Sequence, residues 1–335
     1  MKDTILVTGG AGFLGSHVAD CLIEAGNDVI VMDDLSGGFL DNVHPDTQFI
    51  QGSILDHKLV DSIFNDHRIR DVYHLAAYAA EGLSHFIKRF NYQNNLIGSV
   101  NLINNCVNHG VECFVFTSSI AVYGSNQLPM SEGMMPQPED PYGIAKFAVE
   151  QELRASRHMF GLNHVIFRPH SVYGERQNIG DPYRNVIGIF MNQIMQDKPM
   201  TIFGDGTQTR AFTYAKDIAP VIAQAHLNSK AYGHVFNVGA DTPYDLNFLA
   251  ECVAEAMGKQ AEITYLPARK EVAHAYSSHD KVRKFFKCPP ETTLNEGLSR
   301  MSEWVKKVGT RQGSPFSNIE IERGLPPSWR QLMSK

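Results

Sequence analysis

The chain has 335 residues, 43% of them hydrophobic, and a formal net charge of −6 at pH 7. A negatively charged chain lacks the basic surface that neutralises nucleic-acid phosphates, so we expect no nucleic-acid partner. The apolar runs are too short to cross a bilayer, and residues 1–7 lead directly into a strand, so we expect neither a membrane span nor a signal peptide.

The cysteines and histidines indicate a reduced protein without a metal. The five cysteines are scattered and include no CxxC pair, which is typical of free thiols in a cytoplasmic protein. The 14 histidines show no HxH or HExxH spacing, so we expect no metal site.

A glycine-rich turn follows the first apolar run, Ile5–Val7, and precedes a segment whose apolar residues have helical spacing. Residues 8–15 of this turn read TGGAGFLG. Gly9 and Gly12 let the backbone turn tightly beside a pyrophosphate, and Gly15 lets the helix pack on the strand. The N–H groups at the start of the helix face the anion. The turn predicts a dinucleotide site, to which we assign Gly9, Gly12, Phe13, Leu14 and Gly15.

An acidic residue selects the dinucleotide. A second apolar strand, Val29–Met32, ends at Asp33, the distance from the glycine turn at which a carboxylate meets the adenosine ribose. A carboxylate accepts hydrogen bonds from both ribose hydroxyls and repels a 2′-phosphate. No Arg or Lys lies between Asp33 and Asn42 to bind that phosphate. We therefore expect NAD rather than NADP.

Strand and helix patterns then alternate. The sequence predicts strands at 48–52, 72–77 and 113–119, and helices at 55–64 and 92–107. Such alternation is typical of an α/β protein with a Rossmann-like, doubly wound parallel sheet, whose ligands lie at the carboxyl ends of the strands.

The pattern becomes less regular after a strand at 165–169. We divide the chain into an NAD-binding Rossmann domain (1–170), a smaller α/β substrate-binding lobe (171–308) and a C-terminal tail (309–335). We expect the lobe to be interleaved with the first domain and to contribute the last strands of its sheet. Three more helices are predicted, near 217–227, 245–257 and 294–308. The tail is polar and contains prolines, so we expect it to be mobile or an appended arm.

A tyrosine and a lysine are spaced for proton transfer. A proline-rich loop delivers Tyr142 and Lys146 to the start of a helix, where residues four apart share a face. A nearby ammonium and a cationic nicotinamide both favour the phenolate, so we expect a lowered pKa for Tyr142. Ser119, at the end of the strand at 113–119, could hydrogen-bond the same substrate oxygen. We assign Ser119, Tyr142 and Lys146 as catalytic.

These motifs, in this order, resemble the extended short-chain dehydrogenase/reductases, in the branch of nucleotide-sugar epimerases and dehydratases of the UDP-glucose 4-epimerase type. The resemblance runs from about Lys2 to Lys306. Besides the glycine turn and the Tyr–Lys pair, the segments that carry it are Asp33–Ser36, His74–Ala77, Ser118–Gly124, Arg168–Gly174 and Phe203–Phe212.

The resemblance implies further site residues. The implied cofactor contacts are Asp33, Asp34, Leu35, Ser36, Ser53, Ile54, Leu75, Ala76, Ala77, Asn95, Thr117, Tyr142, Lys146 and Pro169. The implied substrate contacts are Ser119, Ser171, Asn185, Val186, Phe203, Arg210 and Arg269. Three of these depart from the family pattern. Ser53 stands where the family usually has Asp, Ser171 stands where it usually has Asn, and Arg269 aligns loosely.

The branches of the family differ just after the catalytic strand. The resembling 4,6-dehydratases carry an Asp-Glu pair there and decarboxylating relatives a Glu, whereas this chain has Ile120, Ala121 and Val122. Elimination needs a second acid–base group, and 4-epimerisation does not. The resemblance thus implies NAD-dependent 4-epimerisation of a UDP-sugar, in which C4 is oxidised and then reduced from its other face, and a homodimer formed through two helices.

Other reactions stay open at this point. Arg176 and Arg184 are close enough to a family position near Asn178 to bind a uronate, although Asn178 itself is uncharged and favours a neutral hexose. Glu81 and His85 lie in a segment that departs from the family sequence, and either could serve a dehydratase or another epimerase. A catalytically silent NAD-binding protein is the remaining alternative.

Overall fold

The computed structural model describes residues 3–125, 127–311 and 316–333. Its strands are β1 (Thr4–Thr8), β2 (Val29–Asp33), β3 (Gln48–Gln51), β4 (Ile69–His74), β5 (Cys113–Thr117), β6 (His164–Pro169), β7 (Val172–Tyr173), β8 (Met200–Phe203), β9 (Thr209–Ala211), β10 (Thr213–Tyr214), β11 (His234–Val238), β12 (Pro243–Asp245), β13 (Ile263–Leu266) and β14 (His274–Ala275).

Its α-helices are α1 (Phe13–Glu24), α2 (His57–Asp66), α3 (Glu81–Ser84), α4 (Lys88–Tyr92), α5 (Gly98–Asn108), α6 (Pro141–Phe160), α7 (Val186–Met195), α8 (Ala215–Ala223), α9 (Leu246–Met257), α10 (Asp280–Phe285), α11 (Leu294–Val308) and α12 (Pro327–Met333). A π-helical turn, Gln93–Ile97, joins α4 to α5. None of the helices in the described part of the chain is long and apolar enough to cross a membrane.

Seven parallel strands form the main sheet in the order β11-β6-β5-β4-β1-β2-β3. Every residue of β2 and of β5 is buried, as expected for parallel strands that are covered by helices on both faces. The strand order reverses between β1 and β4, and a doubly wound sheet opens a crevice at the carboxyl ends of such strands. The predicted Rossmann-like fold is confirmed.

The second half of the chain both completes this sheet and builds a separate core. Strand β11 pairs with β6 from His234 opposite Val165 to Val238 opposite Pro169. A second apolar cluster gathers residues of α7, α9 and α11, including Phe190, which is completely buried. These observations agree with the expected interleaving, while the boundary at residue 170 stays a prediction.

Several elements were not predicted from the sequence. Helix α7 reads VIGIFMNQIM and is apolar around most of its circumference, so it gives no helical periodicity. The tail was expected to be mobile or an appended arm, and residues 316–333 form an arm in which Leu325 and Trp329 are each 4% exposed. Residues 312–315, 334 and 335 of this tail lie outside the described part.

A buried ion pair fixes α6 to the sheet. The guanidinium of Arg168 on β6 donates two hydrogen bonds to the carboxylate of Glu150, at 2.9 Å from Nε and 2.5 Å from Nη2. Ser118 donates its hydroxyl to the same carboxylate at 2.5 Å. All three side chains are nearly completely buried. Breaking such a pair leaves a charge without a partner in a medium of low polarity.

We expect Arg168→Met to lower the free energy of unfolding by about 3–5 kcal/mol, because Glu150 would keep a buried charge without its cation. Chemical denaturation of the two proteins would measure the difference. Arg154→Met is the matched control, since it makes the same exchange on the exposed face of α6. Equal stability of the Arg168 and Arg154 variants would contradict this account.

Candidate active site

Two adjoining cavities lie at the carboxyl ends of the main-sheet strands. The first, here called the sheet cavity, has a volume of about 820 Å³ and is lined by the glycine turn, Asp33, Ser119, Tyr142 and Lys146. The second, the lobe cavity, has a volume of about 710 Å³ and is lined by α7, β8 and part of the arm. Both cavities share a set of wall residues, which are Ser171, Val172, Tyr183, Arg184, Asn185, Arg210, Arg269 and Glu271.

The glycine turn leaves room for a ligand and none for side chains. Gly9 has a φ of +73°, and a Cβ on it would lie 2.6 Å from the backbone nitrogen of Ala76. A Cβ on Gly15 would overlap the carbonyl oxygen of Gly9. Helix α1 begins at Phe13, so its free N–H groups face the sheet cavity. This is the close approach of backbone to pyrophosphate that a dinucleotide needs.

Asp33 is fixed at the rim of the same cavity. Its carboxylate accepts the N–H of Ala11 at 3.1 Å and the N–H of Leu35 at 2.8 Å. Burial raises the pKa of Asp33, and these two hydrogen bonds oppose the rise. The hydrogen-bonded carboxylate retains acceptor capacity for ribose hydroxyls, since each of its oxygens can accept more than one hydrogen bond. The glycine turn and Asp33 together fit NAD.

Most of the residues assigned to the cofactor line the sheet cavity. They are Gly9, Gly12, Phe13, Leu14, Gly15, Asp33, Asp34, Ser36, Ser53, Ile54, Leu75, Ala76, Ala77, Thr117, Tyr142, Lys146 and Pro169.

Two assigned residues, Leu35 and Asn95, are not part of the lining of the sheet cavity, and their assignment to the cofactor stays a prediction. Leu35 has a φ of +62° and supplies its N–H to Asp33, so its backbone orients that carboxylate. Asn95 is buried, and its side-chain amide forms hydrogen bonds of 2.9 and 3.1 Å to the backbone N–H and C=O of Tyr78. Asn95 therefore holds the segment after β4 in place.

The three catalytic candidates meet in the sheet cavity. Lys146 is buried and donates from Nζ to the carbonyl oxygen of Thr117 at 2.8 Å, and the same Nζ lies 5.8 Å from the centre of the Tyr142 ring. Ser119 is hydrogen-bonded to the Tyr142 side chain, a contact that favours the phenolate. Burial lowers the pKa of Lys146 to about 7, and the nearby Glu150 carboxylate opposes this change.

The pKa of Tyr142 departs from the sequence-based expectation. It lies above its ordinary value, because burial disfavours the phenolate more strongly than the Ser119 hydrogen bond favours it. The carboxylates of Asp140 and Glu81 add to the rise, and Arg184 is the neighbouring cation that opposes it. Proximity to Lys146 was expected to lower this pKa, and in this structure burial prevails.

The predicted substrate residues gather where the two cavities meet. Arg210 donates to the carbonyl oxygens of Thr209, Val272 and Ala273 at 2.6–2.9 Å. Four of the other six, Ser119, Ser171, Asn185 and Arg269, line the sheet cavity, whereas Val186 and Phe203 line the lobe cavity only.

Arg269, which aligned loosely in the sequence, is stacked on Phe203, another of the implied substrate contacts. The Arg269 guanidinium lies 4.5 Å from the centre of the Phe203 ring and forms an ion pair with Glu271 at 2.9 Å. The structure therefore brings Arg269, Phe203 and Arg210 together at one junction.

The comparisons with known proteins agree with this geometry. The sequence model of the NAD dependent epimerase/dehydratase family matches residues 5–239. The chain belongs to this family. As in the family at large, NAD is the cofactor, and the protein is an enzyme of the epimerase type.

This chain matches nearly the whole length of several relatives of known sequence or structure. A putative UDP-glucose 4-epimerase of Methanocaldococcus jannaschii is 35% identical over 90% of this chain and 98% of its own. The crystal structure of the Thermotoga maritima UDP-glucose 4-epimerase with UDP-glucose matches with a TM-score of 0.86 and 35% identity, over 92% of this chain and 99% of its own. The structure of a Bacillus cereus UDP-glucuronic acid 4-epimerase, solved with UDP-glucuronic acid and NAD, matches with a TM-score of 0.83 and 29% identity. The match covers 92% of this chain and 100% of that chain.

The sequence singled out Glu81 and missed Asp140, and it did not reveal that the two carboxylates form a pair beside Tyr142. Asp140 caps α6 through a 2.8 Å hydrogen bond from the N–H of Gly143, and Glu81 lines the same cavity from α3. Burial raises the pKa of Asp140 to about 7, and the charge of Glu81 contributes to the rise. Burial raises the pKa of Glu81 as well, while the charge of Arg210 opposes it. Glu81 and Asp140 come from distant parts of the sequence, so no local motif marks them.

Asp140→Asn should stabilise the protein above pH 7 and have little effect near pH 4. Burial favours the protonated, neutral form of Asp140 in the folded protein, where its pKa is raised to about 7. The stability that this form contributes is fully present below the unfolded pKa of about 3.9 and is lost as the pH rises through about 7. An asparagine keeps an N-cap acceptor without the charge. Thermal unfolding at pH 4, 6 and 8 would measure the effect, with an expected gain of about 2 °C or more at pH 8.

Asp245→Asn is the matched control for this experiment. Asp245 caps α9 through a 2.8 Å hydrogen bond from Phe248, so it repeats the exchange at another helix start. A gain at Asp140 that does not change with pH, or an equal gain at Asp245, would contradict the role of the Glu81–Asp140 pair.

Proposed function

We propose that this enzyme interconverts the C4 epimers of a neutral UDP-hexose of the UDP-glucose/UDP-galactose type, in free or N-acetylated form. The observation that carries the proposal is that Ser119, Tyr142 and Lys146 line one cavity with the glycine turn and Asp33. A sugar bound beside Tyr142 therefore lies within the same enclosure as the cofactor.

The proton chemistry follows from the three side chains. Tyr142 takes the proton of the C4 hydroxyl and returns it to the same oxygen when C4 is reduced from the opposite face of the sugar. Ser119 shares the hydrogen bond to that oxygen, and the buried Lys146, held by Thr117, supplies positive charge behind the phenol. The glycine turn and Asp33 would hold NAD, which would supply a reversible acceptor for the hydride of C4. Arg210, anchored by three carbonyl oxygens, is placed to hold the diphosphate meanwhile.

The residues after Ser119 favour epimerisation over elimination. Ile120–Tyr123 form a single helical turn, in which Ile120 and Val122 are buried apolar residues. A 4,6-dehydratase needs an acid and a base at C5 and C6, and this turn offers neither. Glu81 on α3 and Asp140 at the start of α6 are carboxylates outside this turn that also line the cavity and could serve in this way.

Tyr142→Phe should lower kcat for a UDP-hexose by at least about 100-fold, because general acid–base catalysis contributes on that scale. The dissociation constant for NAD, measured by calorimetry, should stay within about twofold of the wild-type value, since the variant keeps the aromatic ring and its packing. Tyr265→Phe, at an exposed tyrosine that bonds Asn247, is the control. Turnover of the Tyr142 variant near that of the wild type would remove Tyr142 from the mechanism.

A UDP-uronate is the second candidate, and Arg184 is the observation that favours it. Its guanidinium lines both cavities and lies 4.9 Å from the centre of the Tyr78 ring, although Asp181 already pairs with it at 2.7 Å. Arg176, the other arginine considered from the sequence, forms an ion pair with Asp20 of α1 at 2.7 Å instead. Glu81 in the same cavity disfavours a second negative charge.

Incubation with UDP-glucose, UDP-N-acetylglucosamine and UDP-glucuronate, followed by separation of the products, distinguishes these candidates. We expect the neutral sugars to be converted, and Arg184→Met to change their KM by less than about threefold. Arg176→Met is the matched control. Preferential turnover of UDP-glucuronate that is lost only in the Arg184 variant would establish the uronate, and a 4-keto-6-deoxy product would establish a dehydratase.

The assembly and location of the enzyme are also proposals. We propose a homodimer through the helices around α5 and α6, because Ile97, beside α5, and Ile144, on α6, are 50% and 42% exposed. A cytoplasmic location is supported by the five cysteines, each of which is a free thiol.

A further inference from the structure

The arm, residues 316–333, packs on residues 78–90, which include the segment 78–85 that departs from the family sequence. The carboxylate of Glu320 accepts the backbone N–H groups of Arg89 at 2.9 Å and Phe90 at 3.1 Å, which are at the start of α4. The N–H groups of Glu320 and Ile321 in turn donate to the carbonyl oxygen of Phe86, at 2.8 and 3.2 Å. These backbone contacts fix the arm at one place on the molecule.

Aromatic rings extend the contact toward the two cavities. The ring centre of Phe316 lies 4.7 Å from that of Phe90 in an edge-to-face arrangement. Trp329 lies edge-to-face with Tyr183 at 5.3 Å and with Phe86 at 6.2 Å. With 4% of its surface exposed, Trp329 belongs to a buried cluster with Ala80, Leu83 and Ile87 of the same segment.

Trp329 also forms part of the wall of the lobe cavity, beside Arg269 and Phe203. The Arg269 guanidinium lies 5.6 Å from the centre of the Trp329 ring and 4.5 Å from that of Phe203, so two aromatic rings hold it. Trp329 is in turn edge-on to Phe203 at 6.3 Å. A Cβ on Gly82 would lie 3.4 Å from the indole, so the residue next to Glu81 has space for no more than ordinary contact with it.

We propose that Trp329 is a substrate-binding residue, which closes the lobe cavity around a nucleoside diphosphate. The cavity offers aromatic surfaces that a planar base can pack against, with the guanidinium groups of Arg269 and Arg210 close by for a diphosphate. Trp329 supplies one of these surfaces and keeps Arg269 aligned. This inference rests on the proposed function, because it takes the lobe cavity as the place of the nucleotide.

Part of this chain lies outside its match to two of its relatives. The relatives from Methanocaldococcus jannaschii and Thermotoga maritima are covered over 98% and 99% of their lengths, whereas 90% and 92% of this chain is covered. This chain therefore has residues without a counterpart in them. The arm and the 78–90 segment contact each other, so a change in one is expected to alter the other.

Intrinsic fluorescence tests the contact directly, because the chain has two tryptophans, Trp304 and Trp329. Trp304→Phe leaves Trp329 as the sole indole, and Trp304 is not among the residues that line the lobe cavity. Titration of this variant with UDP, with no sugar attached, should give a saturable change in emission. The same titration of Trp329→Phe should leave the signal of Trp304 nearly unchanged. An emission from Trp329 that does not respond while UDP binds would overturn the proposal.

Steady-state kinetics supply an independent readout. Trp329→Ala should raise KM for the UDP-sugar about tenfold and leave kcat within about threefold, whereas Trp329→Phe should recover most of the loss. Gln331→Ala, at an exposed position of the same helix, is the control. An unchanged KM in the alanine variant, or a loss confined to kcat, would contradict a binding role.

The two proposals fail in different ways. Wild-type protein that binds NAD and shows no affinity for UDP by calorimetry would refute the proposed function, and the inference with it. Wild-type protein that binds UDP while Trp329 neither reports binding nor affects KM would refute the inference alone.

Discussion

The row of Tyr142, Lys146 and Glu150 along α6 is the constraint on which the rest of the site depends. These residues follow one another at intervals of one helical turn, so they lie on one face of the helix. Glu150 is fixed to β6 by Arg168 and to the end of β5 by Ser118. The ion pair therefore sets the height of α6 above the sheet, and with it the distance from the phenol to the cofactor cavity.

This arrangement also explains the electrostatics of the site. Burial disfavours charge on both Tyr142 and Lys146, lowering the pKa of the lysine and raising that of the tyrosine. The charge of Glu150 opposes the lowering of the Lys146 pKa by burial. The charges of Asp140 and Glu81 add to the rise of the Tyr142 pKa that burial causes. The balance of charge around the phenol thus depends on Asp140 at the start of α6 and on Glu81 of α3, and a bound cation would oppose the effect of both carboxylates.

Sequence patterns predicted the features of the molecule that depend on residues close to one another in the chain. The glycine turn and Asp33 follow from backbone sterics and strand length, and the Tyr142–Lys146 pair follows from helical spacing. The Glu81–Asp140 pair and the contact of Trp329 with Arg269 depend on residues that meet only after folding. Leu35 shows a third case, because its contribution comes from a backbone N–H at positive φ, which its apolar side chain does not announce.

The position of β11 has a consequence for how the chain folds. Strand β6 ends at Pro169, and its outer neighbour β11 begins only at His234. Until that later stretch leaves the ribosome, β6 has an unpaired apolar edge that can associate with other chains. The amino-terminal half is thus poorly suited to exist as an isolated fragment. The large sequence separation between the two strands, which includes α7 and α8, should make closure of the sheet a slow step.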